Sequence, residues 1–147
     1  MTLDPQSLRS LAEFRVALRR FLAASEVISR SAGVTQQQYQ ALLAIRTWSG
    51  EAMTMKDLAG ELLLTHHAAV QLVNRLARAD LAERAPSHGD RRSVLLRLTP
   101  TGDSLMKALA SEHLREMRRQ EPLLAGALRR LRAIPSQHEG GPGEPRA

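Results

Sequence analysis

One stretch of the sequence concentrates side chains that can hydrogen-bond to nucleic acid. Drawn as a helix beginning after Thr65, it has an apolar stripe on one side and, on the other, the polar residues His66, His67, Gln71, Asn74 and Arg78. Gln and Asn can each make two hydrogen bonds to an adenine edge, and an α-helix fits the major groove of duplex DNA. A Thr65 cap would leave backbone N–H groups free for a phosphate. Since any amphipathic helix has a polar face, this face alone leaves DNA recognition and plain solvation equally open.

A basic segment with the composition of a loop follows that stretch. The residues 86–90 (PSHGD) favour a turn, and Arg91 and Arg92 come directly after them. Strand-like sequences, 81–85 and 93–98, flank the loop, which predicts a hairpin. Arginine binds phosphates and is favoured in a narrow minor groove, so the hairpin is interpreted as a DNA-contacting wing. The alternative is an ordinary charged hairpin in which Asp90 pairs with an arginine.

Composition excludes several classes of function. The chain has 147 residues, 43% of them hydrophobic and 24% charged, which is typical of a single globular domain. It contains no cysteine, and it has no glycine-rich phosphate loop, HExxH motif or nucleophile-elbow serine, so we expect neither an enzyme nor a cofactor. A net charge of +6 fits an anionic partner or an ordinary solvated surface, and charge alone does not distinguish the two, while 3% aromatic residues argue against single-stranded nucleic acid. Without a long apolar run or an export signal, we expect a cytoplasmic protein with no membrane partner.

Capping residues and apolar spacing predict the helices. A Thr-x-x-Gln capping box begins at Thr35, a similar Thr-x-x-Asp pattern begins at Thr54, and Ala52-Met53 is interpreted as an extended link. A last long helical stretch begins at Thr99-Pro100 and is expected to be interrupted at Glu121-Pro122. The predicted helices are about Pro5 to about Arg30, Thr35 to near Ser49, a brief helix after Thr54, His66 to about Ala79, and two helices after Thr99.

These elements predict a mainly α fold with a small β-hairpin wing, a winged helix-turn-helix core joined to a helical dimerisation lobe. We expect the dimerisation lobe at residues 4–34 and 99–134, the DNA-binding lobe at 35–98, and a disordered tail at 135–147. Apolar stripes at both ends of the chain lie outside the winged-helix core, where they would be a liability on a monomer. Pairing about a two-fold axis would bury them and place two recognition helices ~34–36 Å apart.

The stretch from Met55 to Gly102 resembles the winged-helix core of MarR-type (multiple antibiotic resistance) transcriptional regulators. The most specific pieces are LVNRL, LAER and GDRRSVLLRLTPTG, and the resemblance extends roughly from Asp4 to Ile134. It implies an obligate homodimer with interlocked terminal helices, a pseudo-palindromic operator and, usually, repression. Many members of the family also bind small, often aromatic and anionic, effectors.

The resemblance also implies roles for particular residues. Its base-reading positions are His66, His67, Val70, Gln71 and Arg75, and its wing contacts are Arg91 and Arg92, with Asp90 orienting the wing. Asp80 stands where the family commonly has Gly; because Asp tolerates left-handed backbone geometry, the turn is expected to survive. His66-His67 replaces the small residues or proline that are common there, so the operator sequence does not follow from the resemblance.

Two further groups of residues are candidate ligand sites. Arg46 and Trp48 lie near the expected junction of the lobes, where an Arg beside a Trp could hold an anionic aromatic effector. The alternative, a core Trp and a surface Arg, is favoured. His113 has Glu116 three residues on, a spacing that could bind a metal, but without cysteine or a second helical His partner we expect a solvated helix face and no metal.

The sequence therefore predicts a sequence-specific, DNA-binding transcriptional regulator, a repressor that binds duplex DNA as a homodimer and is released by a small molecule. A non-sequence-specific architectural DNA-binding protein is the alternative; it would bind any duplex with similar affinity. A protein-interaction module whose basic face binds an acidic partner is a third class, and competition with duplex DNA would distinguish it.

Overall fold

The computed structural model describes residues 3–49, 52–86 and 94–136. The order of elements is α1 (Pro5–Ser31), α2 (Gln36–Thr47), β1 (Met53–Thr54), α3 (Met55–Glu61), α4 (His66–Arg78), β2 (Ala82–Pro86), β3 (Val94–Leu98) and α5 (Pro100–Arg132). The predicted mainly α fold with a small hairpin is confirmed. Within the described ranges, no helix is long and apolar enough to cross a lipid bilayer.

The predicted helix starts are confirmed by their capping hydrogen bonds. Thr35 Oγ1 accepts a bond from Gln38 N at 3.1 Å, and the Gln38 side chain accepts one from Thr35 N at 2.8 Å. Thr54 and Asp57 form the same reciprocal pair at the start of α3. Helix α4 begins after Thr65, whose hydroxyl accepts a bond from Ala68 N at 3.1 Å. These side chains satisfy helix N–H groups that have no partner in the helix.

The sheet is antiparallel with the strand order β1-β3-β2. The hairpin β2–β3 confirms the two predicted strands to within one residue at their ends. The extended link predicted at Ala52-Met53 is in part a strand, because Met53 pairs with Leu96 and Thr54 with Leu95. Met53 is 1% exposed, so pairing on β3 buries a large apolar side chain that a free link would leave in water.

The expected interruption at Glu121-Pro122 was wrong, since α5 continues through Pro122. Pro122 has no N–H, so the helix loses one hydrogen bond, the one to the carbonyl of Arg118. Because Pro122 and Arg118 are both exposed, water can bond to that carbonyl. The inward-facing side of α5 keeps its helical spacing across the proline. Its partly or fully buried positions include Met106, Leu109, His113, Gln120, Leu124, Ala127 and Leu131.

The chain divides into two compact units. One unit, Ala23–Glu116, contains the winged helix and the main hydrophobic core, in which α4 buries the predicted residues Ala69, Leu72, Val73 and Leu76. The other consists of Met1–Leu22 with Met117–Ala147. The predicted lobe boundaries remain a prediction, and residues 137–147 of the predicted tail lie outside the described residues.

Thr99 locks the turn after α4 to the start of α5. Asp80 adopts φ 57°, which confirms that Asp accepts the left-handed conformation expected there. Thr99 N donates to Leu81 O at 3.1 Å, and the Thr99 hydroxyl donates to Asp80 O at 2.6 Å. The same hydroxyl accepts from Gly102 N at 3.0 Å. The C-terminal end of α4 is thereby held against the first turn of α5.

Candidate nucleic-acid interface

The surface of α4 presents two rows of residues. The outer row, at spacings of three and four, is exposed and comprises His67, Gln71, Arg75 and Arg78. The inner row is His66, Val70 and Asn74, of which Val70 and Asn74 are half-buried. Because the opposite side of α4 is fixed by its buried residues, both rows keep a defined orientation toward a ligand.

His66 and Val70 of the inner row line one side of a surface hollow of about 480 Å³. Its other walls come from the start of α3, from β2 and from β3, through Thr54, Met55, Lys56, Arg84 and Val94. Within the described residues, neither Lys56 nor Arg84 forms an ion pair with a carboxylate. The lining of the hollow therefore combines apolar side chains with the cationic side chains of Lys56 and Arg84.

Asn74 is engaged with the neighbouring strand. Arg84 Nη2 donates a hydrogen bond of 2.8 Å to Asn74 Oδ1, and Arg78 Nε donates one of 3.4 Å to the Asn74 main-chain oxygen. The sequence placed Asn74 on the polar face but contained no signal for its partner, which lies ten residues further along the chain on a different element.

Charge on the neighbouring elements is partly neutralised. Arg97 on β3 pairs with Glu83 on β2 at 2.7 Å, and the two residues face each other across the ladder. The backbone N–H of Thr54 bonds to the Asp57 carboxylate and holds the pKa of Asp57 below its usual value, so this charge is committed to the cap of α3. Arg75 and Arg78 have no such carboxylate within the described part of the chain. The face of α4 therefore carries net positive charge.

The predicted wing contacts Arg91 and Arg92, together with Asp90, lie outside the described residues. The structure does describe the strands that carry the loop, up to the pair Pro86–Val94. Their contact with DNA stays a prediction.

Arg46 and Trp48 line a separate crevice of about 480 Å³ between the end of α2, β3 and the start of α5. Arg46 Nε contacts Asp103 Oδ1 at 3.1 Å, and Lys107 Nζ contacts Asp103 Oδ2 at 2.7 Å. Both bonds lower the pKa of Asp103, and the bond from Lys107 has the larger effect. Trp48 is half-buried and packs against the core. The structure thus brings Arg46 and Trp48 to one crevice, with the guanidinium already paired.

His113 is buried, so the expectation of a solvated helix face was wrong. Its Nδ1 lies 2.8 Å from Leu109 O, its Nε2 lies 3.2 Å from Ser25 O, and its ring stacks on Tyr39 at 4.1 Å. Its place four residues after Leu109 on the apolar stripe of α5 was the sequence signal for burial. No group of three or more possible metal ligands occurs among the residues that the structure describes.

Comparison with known proteins connects this geometry to one family. The sequence model described as "MarR family" matches residues 32–93. The organic hydroperoxide resistance transcriptional regulator of Bacillus subtilis is 35% identical over 77 residues, 52% of this chain and 50% of that protein. The chain matches about half the length of the curated relatives found.

Solved structures show the same fold over most of the chain. AbsC, a MarR family transcriptional regulator from Streptomyces coelicolor, has a TM-score of 0.74 at 23% identity, covering 82% of this chain and 81% of its own. A complex of S. aureus MepR with DNA has a TM-score of 0.63 at 23% identity and coverages of 83% and 98%. NadR in complex with 4-hydroxyphenylacetate has a TM-score of 0.62 at 23% identity, with coverages of 81% and 89%. The segment that matches the MarR family model, residues 32–93, includes all of α4.

Proposed function

We propose that the protein is a DNA-binding transcriptional regulator that reads an operator in the major groove with α4. The observation that carries this proposal is the face of α4: its outer row is exposed and cationic, while the opposite side is anchored in the core. Rigid presentation of side chains from a helix is what base readout requires. The DNA complex of the similarly folded MepR is consistent with this use of the fold.

Individual roles follow from position on α4. Gln71 and Arg75, on the exposed outer row, are placed to reach base edges, as is His67. His66 and Val70, on the inner row, would lie at the edge of the DNA major groove. The Thr65 hydroxyl occupies Ala68 N–H, so the N–H groups of the first helical residues remain free to bind a phosphate. Wing residues Arg91 and Arg92, oriented by Asp90, would add contacts to phosphate or minor groove.

We propose that the regulator works as a homodimer assembled through α1 and α5, from the predicted lobe at 4–34 and 99–134. The predicted apolar stripe of α1 is not buried in the single chain, where burial would stabilise it: Leu8, Leu11 and Leu22 are exposed, and Phe14, Leu18 and Phe21 are half-buried. In the unit formed by the chain ends, the exposed large apolar residues are Leu3, Leu8, Leu11, Val16, Leu22, Met117, Leu123 and Leu128. Light scattering at micromolar concentration should give twice the chain mass, and a monodisperse monomer that binds its operator tightly would contradict this assembly.

Specific recognition is tested by selecting bound sequences from random duplex DNA and measuring affinity for the selected and for unrelated duplexes. A regulator should prefer the selected duplex by ~1,000-fold or more at physiological salt. Gln71→Ala should lower affinity for the selected site by ~1–3 kcal/mol and relax specificity there. Similar affinity for every duplex would instead indicate an architectural DNA-binding protein. Repression follows if operator occupancy lowers transcription in a purified system.

We propose that the crevice at Arg46 and Trp48 binds a small aromatic anion that releases DNA. A carboxylate could replace that of Asp103 on Arg46, and Trp48 would cover an aromatic ring. NadR, of similar fold, has been solved with 4-hydroxyphenylacetate, a ligand of this chemistry. Trp48 is the single tryptophan, so its fluorescence reports binding directly.

The ligand test titrates aromatic carboxylic acids into the protein and into its DNA complex. An acid that quenches Trp48 should also release DNA, and Arg46→Gln should weaken both effects. The uncharged amide of the same acid is the matched control, and equal binding of acid and amide would refute a role for Arg46.

A further inference from the structure

The hydrogen bond between Arg84 and Asn74 changes what each residue can do at a DNA surface. Arg84 lies on β2 and Asn74 on α4, and their side chains join at 2.8 Å on the inner row. Both belong to the unit that contains the winged helix. The bond therefore links the recognition helix to the strand that leads into the predicted wing.

The acceptor oxygen of Asn74 is already in use. A two-bond contact with adenine needs the amide oxygen to accept from N6–H₂ while the amide nitrogen donates to N7. Accepting from Arg84 occupies one of the two lone pairs of Oδ1 and holds the amide oxygen toward β2. Asn74 is also half-buried, one turn further along α4 than Val70, rather than on the exposed outer row. The arrangement disfavours the adenine contact suggested by residue type alone.

Arg84, in contrast, keeps its full charge. Its partner is a neutral amide, and the bond uses one of five guanidinium N–H donors. Arg97 on the adjacent strand differs, because it forms an ion pair with Glu83 at 2.7 Å that balances its charge. Arg84 therefore has a side-chain partner that fixes its position, and no carboxylate among the described residues pairs with it in the hollow that it lines together with Lys56.

We propose that Arg84 binds a DNA phosphate and that Asn74 is its positioning residue rather than a base reader. This rests on the proposed function, because it takes α4 to enter the groove with its outer row. A residue on the strand beside α4 then meets the sugar–phosphate backbone at the groove edge. A guanidinium held in place loses less side-chain entropy on binding, so its charge-assisted bond contributes more.

The test measures affinity for a selected and an unrelated duplex over a range of salt concentrations. Arg84→Ala should weaken both by on the order of tenfold and reduce the slope of log affinity against log salt by about 0.9, the value for one phosphate. Asn74→Ala should weaken both in the same direction without changing the preferred base sequence. The double variant should bind no more weakly than Arg84→Ala, because Asn74 acts through Arg84.

Asn74→Asp separates position from charge. The carboxylate retains the bond to Arg84 but balances its charge, so the salt slope should fall as in Arg84→Ala. Arg30→Ala is the matched control, since Arg30 is an exposed arginine that pairs with Glu26 at 2.9 Å; it should change neither affinity nor slope. Thermal unfolding of each variant checks that the fold is retained.

Three results would overturn the inference. The first is an Asn74→Ala variant that alters preference at one base pair while its non-specific affinity and salt slope stay unchanged. The second is additivity of the Asn74→Ala and Arg84→Ala effects, and the third is an unchanged salt slope in Arg84→Ala. If wild type binds all duplexes equally, the regulator proposal fails, but the salt slopes still decide the role of Arg84. Absence of duplex binding by wild type would refute both.

Discussion

Gly102→Ala should destabilise the protein, although alanine is normally the better helix residue. A Cβ at position 102 would lie 1.8 Å from Leu81 O and 2.7 Å from Leu81 C, both of them main-chain atoms. Real Cβ atoms do not come within 3.0 Å of such neighbours, so the two backbones would have to separate by about 1.2 Å. That movement acts directly on the hydrogen bonds that Thr99 makes to Asp80, Leu81 and Gly102.

The expected change in the free energy of unfolding is the sum of opposing contributions. Replacing glycine by alanine inside a helix contributes about 1 kcal/mol in favour of the variant. Forcing a methyl group into a filled site costs about 1–3 kcal/mol. Loss of the Thr99 cap costs about 1 kcal/mol, and each weakened main-chain contact of Thr99 costs about 0.5–1.5 kcal/mol. We therefore expect the free energy of unfolding to fall by about 2–4 kcal/mol.

Urea denaturation followed by far-UV circular dichroism measures this change. Gly60→Ala and Gly126→Ala are matched controls: nothing lies within 4 Å of a Cβ at Gly60, and at Gly126 the nearest atoms are the ends of arginine side chains, at 3.5 and 3.8 Å. Both should be as stable as wild type or more stable by up to about 1 kcal/mol. If Gly102→Ala behaves like these controls, the close approach of α5 to Leu81 is refuted.

Three further predictions concern other parts of the fold. Leu63 has φ 54° and is 92% exposed, so Leu63→Gly should raise the free energy of unfolding by up to about 1 kcal/mol in urea denaturation, whereas Leu63→Ala, which keeps the strain, should not. The hydrogen bonds at the cap of α3 lower the pKa of Asp57. The stabilisation from these bonds is therefore present above pH ~4 and is lost as the pH falls through the lowered pKa. Asp57→Asn should thus show a shallower loss of urea midpoint between about pH 5 and pH 2, and equal acid slopes would contradict this. His113→Phe keeps an aromatic ring beside Tyr39 but loses the ring N–H that donates to a carbonyl oxygen, so thermal and urea unfolding should show about 1–3 kcal/mol of destabilisation, and an unchanged stability would refute a bonding role.

Features governed by neighbours in sequence were predictable from the sequence. The caps at Thr35, Thr54 and Thr65 bond to groups three residues away, so their partners are known once the residue types are known. The apolar stripe of α4 predicted its buried residues because helical spacing alone determines which side chains share a face. The left-handed turn at Asp80 was expected from the resemblance to the family, together with the tolerance of Asp for this backbone geometry.

Features that depend on contacts between elements required the tertiary structure. Met53–Thr54 is a strand only because β3 lies beside it, and two residues carry no periodic signal of their own. Asp103 pairs with Arg46 across 57 positions of sequence, which no local pattern encodes. Asn74 looks like an adenine reader from its residue type and helical position, and only the approach of β2 brings Arg84 to its oxygen. The sequence determined which face of α4 points outward; the packing of the strands decided which atoms on that face are left to bind DNA.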